Sequence, residues 1–392
     1  MKKIAVVTTT RADWGLLNNV ARNIADNSEL QLQIIAANMH FDPSRGMTLT
    51  EIEDAGFAID YKVLPCQNTD TSLGTIRSAS MQMSQFGEAY DALGPDIVLL
   101  LGDRYETLAA AMAATLSGIP IAHISGGEIT EGAFDDNIRH AITKLASLHF
   151  ASTEDHRRRI IQMGEEPSTV FNVGALGVEN MITAELLDVR QLTESLGFDL
   201  SADTLLVTFH PATNDLCSPA ERFDALLKAL EKVDNPVLFT YPNNDPRSEE
   251  IIAAIEDFHR SHPDRVHVVP SLGRLRYLSA LKLIACVVGN SSSGIVEAPS
   301  AGIPTVDIGI RQRGRTAAPS VIHCGNSTEE INLAFRKALS PEFREIAALA
   351  QNPYYQPGTA ARITEILAKS DPSKLLPKHF YDIRFGSQNI TS

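Results

Sequence analysis

Long apolar runs are absent from this sequence. No stretch of about 18 apolar residues, the length that spans a membrane, occurs in it. The N-terminus passes from two lysines into a short β-type run, without the longer apolar stretch and small-residue cleavage site of a secretory signal. We therefore expect a protein without membrane contact that stays in the cytoplasm.

Positive charge and cysteine are scarce as well. The net charge of -14 argues against a broad electrostatic surface for nucleic acid or anionic lipid, so any phosphate must be bound by local contacts. The cysteines stand far apart, without C-x-x-C or metal-type spacing. Neither a disulfide framework nor a metal site is predicted from Cys66, Cys217, Cys286 and Cys324.

Short β-branched runs alternate with amphipathic or alanine-rich stretches along most of the chain. This alternation predicts an α/β fold with parallel sheets and helices on both faces, and a length of 392 residues predicts two such doubly wound domains. A polar, helix-prone interruption at residues 181–204 places the boundary, giving domains 1–185 and 186–365. Because such folds bind ligands beyond the carboxyl ends of their strands, the chemistry is expected in a cleft between the domains.

Two junctions between a strand and a helix in the first half carry charged side chains. The turn at residues 8–15 combines a helix start with Arg11, which suits an anionic or nucleotide ligand, and it lacks the G-x-G-x-x-G pattern of dinucleotide sites. Asp103 and Arg104 follow the apolar run DIVLLL, a position typical of a site. Helix capping is the alternative for both stretches.

A denser group of ionisable residues follows the next apolar run. Two glycines, Gly126 and Gly127, allow the backbone to approach a ligand closely. Paired acids and bases are what proton abstraction from carbon demands, although a structural role explains any single member equally well. Taken as a cluster, these residues favour acid–base chemistry: His123, Glu128, Glu131, Asp135, Asp136, Arg139 and His140.

The strongest signal lies at residues 289–298, G-N-S-S-S-G-I-V-E-A, which we call the serine segment. Small hydroxyl residues and N–H groups at a helix start suit a diphosphate, and Glu297 one turn later suits the two hydroxyls of a ribose. The segment lacks the Walker lysine, so it favours holding a nucleotide diphosphate over splitting a triphosphate. A serine N-cap is the alternative. The candidate contacts here are Ser291, Ser292, Ser293, Gly294 and Glu297, with Arg311 adding positive charge.

Two more loops of the second half follow predicted strands. His210 and Asn243 could donate hydrogen bonds to phosphate or ribose. A simple turn explains P-N-N-D at residues 242–245 equally well.

Together these motifs resemble a known family. The stretches T-R-A-D (10–13), G-D-R (102–104), G-G-E (126–128), D-D-N-I-R-H-A-I-T-K-L (135–145), P-N (242–243) and G-N-S-S-S-G-I-V-E (289–297) are similar to the hydrolysing UDP-N-acetylglucosamine 2-epimerases of sialic acid synthesis. The likeness extends over about residues 3–365.

This resemblance implies a fold, a ligand and an assembly. The fold is two Rossmann-like domains of the glycosyltransferase-B type, with residues 366–392 packing back on the first domain, UDP in the interdomain cleft, and a homodimer or homotetramer. Asp103, Asp135, Asp136, Arg139 and His140 fall in or beside the catalytic region of the family. The positions that match its UDP contacts are Arg11, Arg104, His210, Asn243, Val269, Ser291, Ser292, Glu297 and Arg311.

The sequence departs from the sialic acid branch at one position. Ser125 stands where that branch often has a glutamate before the G-G-E glycines, so Glu128, Glu131 or Asp136 must replace that group. Residues 130–133 are also one residue longer than the sialic acid pattern. Both features favour the related enzymes that act on UDP-N,N'-diacetylbacillosamine in legionaminic acid synthesis.

The implied reaction begins with removal of the weakly acidic C2 proton by a carboxylate while UDP leaves from C1. The resulting 2-acetamidoglucal then adds water, which gives N-acetylmannosamine and UDP for nonulosonic (sialic) acid and capsule polysaccharide synthesis. No cofactor is required, because no electrons pass to an acceptor. We expect acid–base roles for Asp103, Glu128 and Asp136, with His123 and His140 orienting them.

Three other interpretations stay open. The chain could be a glycosyltransferase of the same architecture, a non-hydrolysing epimerase that keeps UDP attached, or a binding module that senses UDP-sugars without turnover.

Overall fold

The computed structural model describes residues 1–41, 48–65, 71–131, 134–211, 218–242 and 247–383. Two compact units divide the chain. The first contains Met1–Glu128, Asp135–Leu176 and the chain from Gln356 onward, and the second contains Ile129–Phe134 and Gly177–Tyr355.

A seven-stranded parallel sheet forms the centre of the first unit. Its strands are β1 (Lys2–Thr8), β2 (Leu30–Ala37), β3 (Tyr61–Val63), β4 (Ile97–Leu101), β5 (Ile121–Ile124), β6 (Leu148–Ala151) and β7 (Val170–Asn172). Their order in the sheet is β3-β2-β1-β4-β5-β6-β7, so the direction of winding reverses between β1 and β4. In a doubly wound sheet, ligands bind beyond the carboxyl ends of the strands at such a reversal.

The second unit has a six-stranded parallel sheet of the same kind. Its strands are β8 (Leu205–Thr208), β9 (Val237–Thr240), β10 (Val266–Val269), β11 (Cys286–Gly289), β12 (Thr305–Ile308) and β13 (Val321–Cys324). The order β10-β9-β8-β11-β12-β13 places the reversal between β8 and β11.

Helices fill the connections between these strands. Up to the end of the first sheet they are α1 (Arg11–Asp26), α2 (Leu49–Asp54), α3 (Ser72–Leu93), α4 (Tyr105–Leu116), α5 (Asp135–Leu145) and α6 (Glu154–Gln162). The later ones are α7 (Leu176–Thr183), α8 (Val189–Leu196), α9 (Pro219–Leu230), α10 (Ser248–Ser261), α11 (Gly273–Leu281), α12 (Ser292–Val296), α13 (Ala298–Ala301), α14 (Thr328–Ala338), α15 (Pro341–Leu349) and α16 (Thr359–Lys369).

Alternation along the central strands builds a core on each face of the first sheet. Ala5 and Val7 of β1 pack in a cluster with Phe86 of α3, while Ile4 and Val6 pack in another with helices α1 and α16. Successive side chains of a strand point to opposite faces, so a strand covered on both sides has to be apolar throughout. The runs IAVV and IVLLL meet that requirement.

Side-chain packing locates the two positions at which the chain crosses from one unit to the other. Met181 of α7 is buried with Leu206 and Leu238 of the second sheet, so the second unit begins at Gly177 rather than at the polar residues near 185. Ile363 and Leu367 of α16 are buried with the first sheet. The chain therefore rejoins the first unit at Gln356, ahead of the expected segment 366–392.

The predicted fold class, two doubly wound parallel α/β domains, is confirmed. Among the described residues, no helix combines the length and apolar character needed to cross a membrane. In the same ranges, no set of three or more His, Cys, Asp or Glu side chains is arranged to hold a metal ion. Cys286 and Cys324 form no disulfide, and Cys66 and Cys217 lie outside the described residues.

Candidate active site

The start of α1 lies at the reversal of the first sheet, directly after β1. Thr10 caps the helix, and Asp13 accepts hydrogen bonds from the backbone N–H of Thr10 at 3.1 Å and from the Thr9 hydroxyl at 2.6 Å. The capping alternative is therefore observed for two members of T-R-A-D. Arg11, the first helical residue, is exposed at the same edge.

Arg104 follows β4 on the other side of the reversal, and a buried carboxylate holds it. Glu106 is fully buried, and its oxygens accept from the Arg104 guanidinium at 3.3 and 3.4 Å and also from the Asn38 amide. Glu106 raises the pKa of Arg104 above its ordinary value, to which Asp135 at the start of α5 also contributes. Sequence reasoning missed Glu106 and Asn38, because their polar side chains read as ordinary helix and loop residues.

Arg139 joins most of the predicted acid–base residues. Its side chain on α5 is only 3% exposed, donates to Asp103 and lies 3.6 Å from Oδ1 of Asp136. Burial alone would lower the pKa of Arg139, but Asp103, Glu128 and Asp136 raise it. We call these three carboxylates and Arg139 the Arg139 cluster. Asp103 thus pairs with Arg139, and the N-cap position of α4 is Arg104, without a side-chain cap bond.

Two histidines border the Arg139 cluster. His123 is fully buried, and burial lowers its pKa to about 4, so it is neutral. Its Nε2 lies 2.8 Å from the carbonyl of Gly102 and must therefore carry the proton. His123 fixes the backbone next to Asp103. His140 Nε2 lies 3.4 Å from Oδ2 of Asp136, and burial lowers the pKa of His140 as well.

The two glycines before Glu128 serve the packing of the protein itself. A Cβ on Gly126 would lie 2.9 Å from the Thr143 hydroxyl, and one on Gly127 would lie 2.5 Å from the carbonyl of His156. Glu128 is buried and accepts a hydrogen bond of 2.8 Å from Ser152. The close approach expected toward a ligand is thus made toward α5 and α6.

Glu131 has contacts of its own. It belongs to the second unit, is half exposed, and lies 3.5 Å from Nε of Arg313. Its neighbour Thr130 accepts a hydrogen bond of 3.2 Å from Arg315. A catalytic role for Glu131 stays a prediction.

The reversal of the second sheet brings the serine segment next to His210. Gly289 has φ of +129°, and a Cβ on it would lie 1.9 Å from the carbonyl oxygen of Thr208, so only glycine fits. The Asn290 side chain accepts from the backbone N–H of His210 at 2.7 Å and donates to its carbonyl at 2.8 Å. Burial lowers the pKa of His210 well below its ordinary value, and Arg311 adds to this shift.

Arg311 is held against the serine segment. The Asn290 carbonyl accepts from the Arg311 guanidinium at 3.0 Å and from the Gln312 amide at 2.8 Å. Ser291 caps α12, so Ser292 and Ser293 occupy its first turn, where backbone N–H groups lack helical partners. The structure thus brings together His210, Ser291, Ser292, Ser293 and Arg311.

The other predicted UDP contacts are more dispersed. The carbonyl of Gly294 accepts from Thr305 at 2.8 Å, and a Cβ on Gly294 would lie 2.8 Å from that threonine, so this glycine serves packing against β12. Glu297 packs against Gly177 of α7, and Val269 ends the edge strand β10. Asn243 lies outside the described residues. Arg11 and Arg104 belong to the first unit.

Comparison with known proteins gives the family of the chain. A sequence model described as UDP-N-acetylglucosamine 2-epimerase matches residues 22–368. The chain belongs to the UDP-N-acetylglucosamine 2-epimerase family. The family resemblance predicted from the motifs is therefore confirmed, and so is the prediction that the chain is an enzyme.

Relatives of this family member carry more specific names. It is 36% identical to the GDP/UDP-N,N'-diacetylbacillosamine 2-epimerase (hydrolyzing) of Campylobacter jejuni, over 88% of this chain and 89% of the relative. It is 34% identical to the polysialic acid biosynthesis protein P7 of Escherichia coli, over 98% of each chain.

A solved structure shows the same fold. The UDP-GlcNAc 2-epimerase of Neisseria meningitidis, bound to UDP-GlcNAc, matches this epimerase-family chain with a TM-score of 0.80 and 21% identity, over 94% of this chain and 100% of the other. Its likeness confirms the predicted glycosyltransferase-B type of fold.

Proposed function

We propose that this family member is a hydrolysing UDP-N-acetylglucosamine 2-epimerase, which converts UDP-GlcNAc and water to N-acetylmannosamine and UDP in nonulosonic acid biosynthesis. The Arg139 cluster is the observation that carries the proposal, because it assembles three carboxylates around one guanidinium beside a strand reversal. Inversion at a carbon needs one group to remove a proton and another to return it on the opposite face. Asp103, Glu128 and Asp136 supply these groups.

The serine segment and Arg311 are proposed to hold UDP as it leaves C1. Departure of a diphosphate places negative charge on its oxygens, and fixed N–H donors with an adjacent guanidinium stabilise that charge. The Asn290 carbonyl orients Arg311 by accepting a hydrogen bond of 3.0 Å from its guanidinium. Water then adds to the 2-acetamidoglucal, and the free sugar departs. No step of this sequence calls for a cofactor.

Assay of the purified protein with UDP-GlcNAc in D₂O tests the proposal. We expect UDP release by phosphorus NMR, together with N-acetylmannosamine that carries deuterium at C2. A nucleotide that stays attached to the epimerised sugar would mean a non-hydrolysing epimerase. If the protein binds the nucleotide sugar but no deuterium enters C2, it is a binding module or a glycosyltransferase. Release of free sugar in the absence of an acceptor would exclude a glycosyltransferase.

Variants of the Arg139 cluster test the acid–base assignment. Asp103→Asn and Asp136→Asn should abolish turnover while UDP binding, measured by calorimetry, stays intact. Asp91→Asn, a change at an exposed carboxylate of α3, serves as the control and should keep full activity. Near-normal rates in both cluster variants would refute the assignment.

UDP-N,N'-diacetylbacillosamine is a second candidate substrate. Ser125 supports it, since this residue stands where the sialic acid branch often has a glutamate. The activity in the name of the Campylobacter jejuni relative, which is 36% identical, supports it as well. Rates of UDP release from the two nucleotide sugars, compared at equal concentration, decide between them.

The family resemblance also supports a homodimer or homotetramer that works in the cytoplasm. Light scattering coupled to size-exclusion chromatography measures the assembly, and a monomer at working concentration would contradict it.

A further inference from the structure

A buried serine and a buried histidine stand behind Glu128. Ser152 directly follows β6 and His156 lies in α6, with exposures of 1% and 0%. The Ser152 hydroxyl lies 2.8 Å from Oε1 of Glu128 and 3.0 Å from Nδ1 of His156. The three side chains therefore form a continuous hydrogen-bonded row from α6 to the carboxylate.

The chemistry of these groups fixes the direction of the row. A carboxylate can only accept, and a serine hydroxyl has one proton to donate. Ser152 therefore donates to Glu128 and accepts from His156, whose Nδ1 must carry a proton. A hydrogen bond to the ionised form of a carboxyl group favours that form. The row thus stabilises Glu128 as a carboxylate and holds it in one orientation.

We infer that Ser152 and His156 are positioning residues that make Glu128 the base of the reaction. The inference rests on the proposed function and deepens it, because it separates Glu128 from Asp103 and Asp136. Those two carboxylates are paired directly with Arg139 and, in the case of Asp136, with His140. Glu128 is the member of the Arg139 cluster that accepts from Ser152, which in turn contacts His156.

Other ionisable groups surround this corner of the first unit. Arg139 and His140 lie on α5, Arg159 on α6 donates to the carbonyl of Gly127, and His123 lies on β5. Arg139 acts on Glu128 through its charge, and a substitution of Ser152 leaves Arg139 itself unchanged. A change confined to Ser152 or His156 therefore reports on the row.

Ser152→Ala is the decisive variant, and Ser147→Ala is its matched control. Ser147 lies just before β6 and is similarly buried, but its hydroxyl has no hydrogen-bond partner among the described residues. For Ser152→Ala we expect kcat for UDP release to fall at least about 10-fold with KM unchanged, while Ser147→Ala keeps the wild-type rate. The acid limb of the pH–rate profile should move upward by about one pH unit, since an unsupported carboxylate has a higher pKa.

Two further variants separate positioning from packing. Ser152→Thr keeps the hydroxyl and should recover most of the rate, and His156→Asn keeps a donor near the place of Nδ1 and should do better than His156→Leu. In a Glu128→Gln background, Ser152→Ala should cause no further loss, because it acts through Glu128. A wild-type rate and pH profile for Ser152→Ala, or additive losses in the double variant, would overturn the inference.

Failure of this inference is distinguishable from failure of the proposed function. If the wild-type protein releases no UDP from either nucleotide sugar, the proposed function fails. The pKa of the Glu128 carboxyl can then still be followed by carbon-13 NMR, with its signal assigned by its loss in Glu128→Gln. An upward shift in Ser152→Ala supports the row, and an unchanged value refutes it.

Discussion

Arg139 carries one positive charge among the carboxylates of Asp103, Glu128 and Asp136. Its own side chain is almost fully buried, whereas Asp103 and Asp136 remain about a quarter exposed, at 25% and 23%. Without the guanidinium, like charges would face one another at short range. The ion pairs are therefore a condition for holding these carboxylates together.

We predict that Arg139→Gln lowers the free energy of unfolding by about 3 kcal/mol, because it leaves paired carboxylates without their cation. Turnover should fall below detection. UDP affinity should stay near the wild-type value, since the serine segment is unchanged. Urea unfolding and calorimetry with UDP measure the two effects.

Arg139→Lys is the control for this prediction. A lysine keeps the charge but cannot donate to two carboxylates in the planar geometry of a guanidinium. The unfolding free energy of Arg139→Lys should therefore lie between the values of the wild type and of Arg139→Gln. A stability of Arg139→Gln within about 0.5 kcal/mol of wild type would contradict the argument.

Sequence reasoning found the residues of the Arg139 cluster, but not the residues that support them. Asp136, Arg139 and His140 share the start of α5, where their spacing already suggested proximity. Ser152 is followed by Thr153, Glu154 and Asp155, a pattern that reads as an ordinary helix start. Its contact with Glu128 arises only from the pairing of β5 with β6, which no local pattern reveals.

At the scale of elements, the close approach of β8 and β11 depends on Gly289. An alanine there would meet the Thr208 carbonyl at 1.9 Å and would also need an unfavourable φ of +129°. We predict that Gly289→Ala destabilises the second unit by about 3 kcal/mol and weakens UDP binding, because the serine segment must shift. Thermal unfolding and calorimetry check both effects.

Gly87→Ala is a suitable control for the glycine substitution. Gly87 lies within α3, and a Cβ there meets nothing within 4 Å. Gly87→Ala should raise the free energy of unfolding by roughly 0.5–1 kcal/mol, because alanine favours a helix more than glycine does. Equal losses in both variants would show that the space around Gly289 is not the cause.

Lys378, in the chain that follows α16, contacts the C-terminal end of α5. Lys378 donates to the carbonyls of Lys144 and Ala146 at 2.7 and 2.6 Å and lies 2.7 Å from Glu165. Burial alone would raise the pKa of Glu165, but hydrogen bonds from His149, Lys144 and Lys378 lower it to about 2. Lys378 thus completes the ion pairs of the buried Glu165 next to the helix that carries Arg139.

We predict that Lys378→Met lowers the free energy of unfolding by about 2 kcal/mol, since it leaves two carbonyls and a buried carboxylate short of a donor. Lys374→Met removes only a surface pair with Asp371 and should change stability by less than about 0.5 kcal/mol. Urea unfolding of both variants measures the difference. Similar values would mean that the contacts of Lys378 add nothing to stability.

Helices with capping and helix-ending residues can be predicted from the sequence, whereas short edge strands cannot. The helix α3 is such a case, since Thr71 caps its start and Gly94 ends it with φ of +56°. The edge strands β7 and β13 lack such signals, because Val170–Asn172 and Val321–Cys324 are short and only partly buried. Each is defined by pairing with a neighbour rather than by a pattern of its own.

For the whole molecule, composition and alternation were sufficient to predict two doubly wound domains, but not where the chain passes between them. The polar stretch near residue 185 looked like a boundary, whereas the burial of Met181 assigns α7 to the second unit. Similarly, the family resemblance implied that the chain returns to the first domain, but not that the return begins at Gln356 and includes the packing of α16 with β1. Both assignments depend on contacts between residues far apart in the chain.

Buried neutral histidines make the whole molecule sensitive to acid. Burial lowers the pKa of His40 and His123 to about 4, and it also lowers the pKa values of His149 and His210. In the unfolded chain these groups titrate near 6.5. Their stabilising contribution is therefore complete above pH 6.5 and is lost as the pH falls toward the folded values, because only the unfolded state binds the protons.

The pKa of His323 shifts in the opposite direction on folding, so this residue has the opposite effect on the pH dependence of stability. Its hydrogen bond to Asp307 raises its pKa in the folded state, so its contribution is present below pH 6.5 and disappears as the pH rises through the folded value. His323 is half exposed, and its effect is correspondingly smaller. The sum over the molecule is therefore a loss of stability on acidification.

We predict that the unfolding free energy falls steeply between pH 6.5 and 4.5, by up to about 3 kcal/mol for each fully buried histidine that reaches its limit. Urea unfolding at pH 7.5, 6.0 and 5.0 measures the slope, in a range that lies above the ordinary pKa values of carboxyl groups. His123→Asn should flatten it, because the variant removes a group that only the unfolded chain protonates, whereas His323→Gln should make it slightly steeper. A stability that is constant from pH 7.5 to 5.0 would show that these histidines already carry protons in the folded protein.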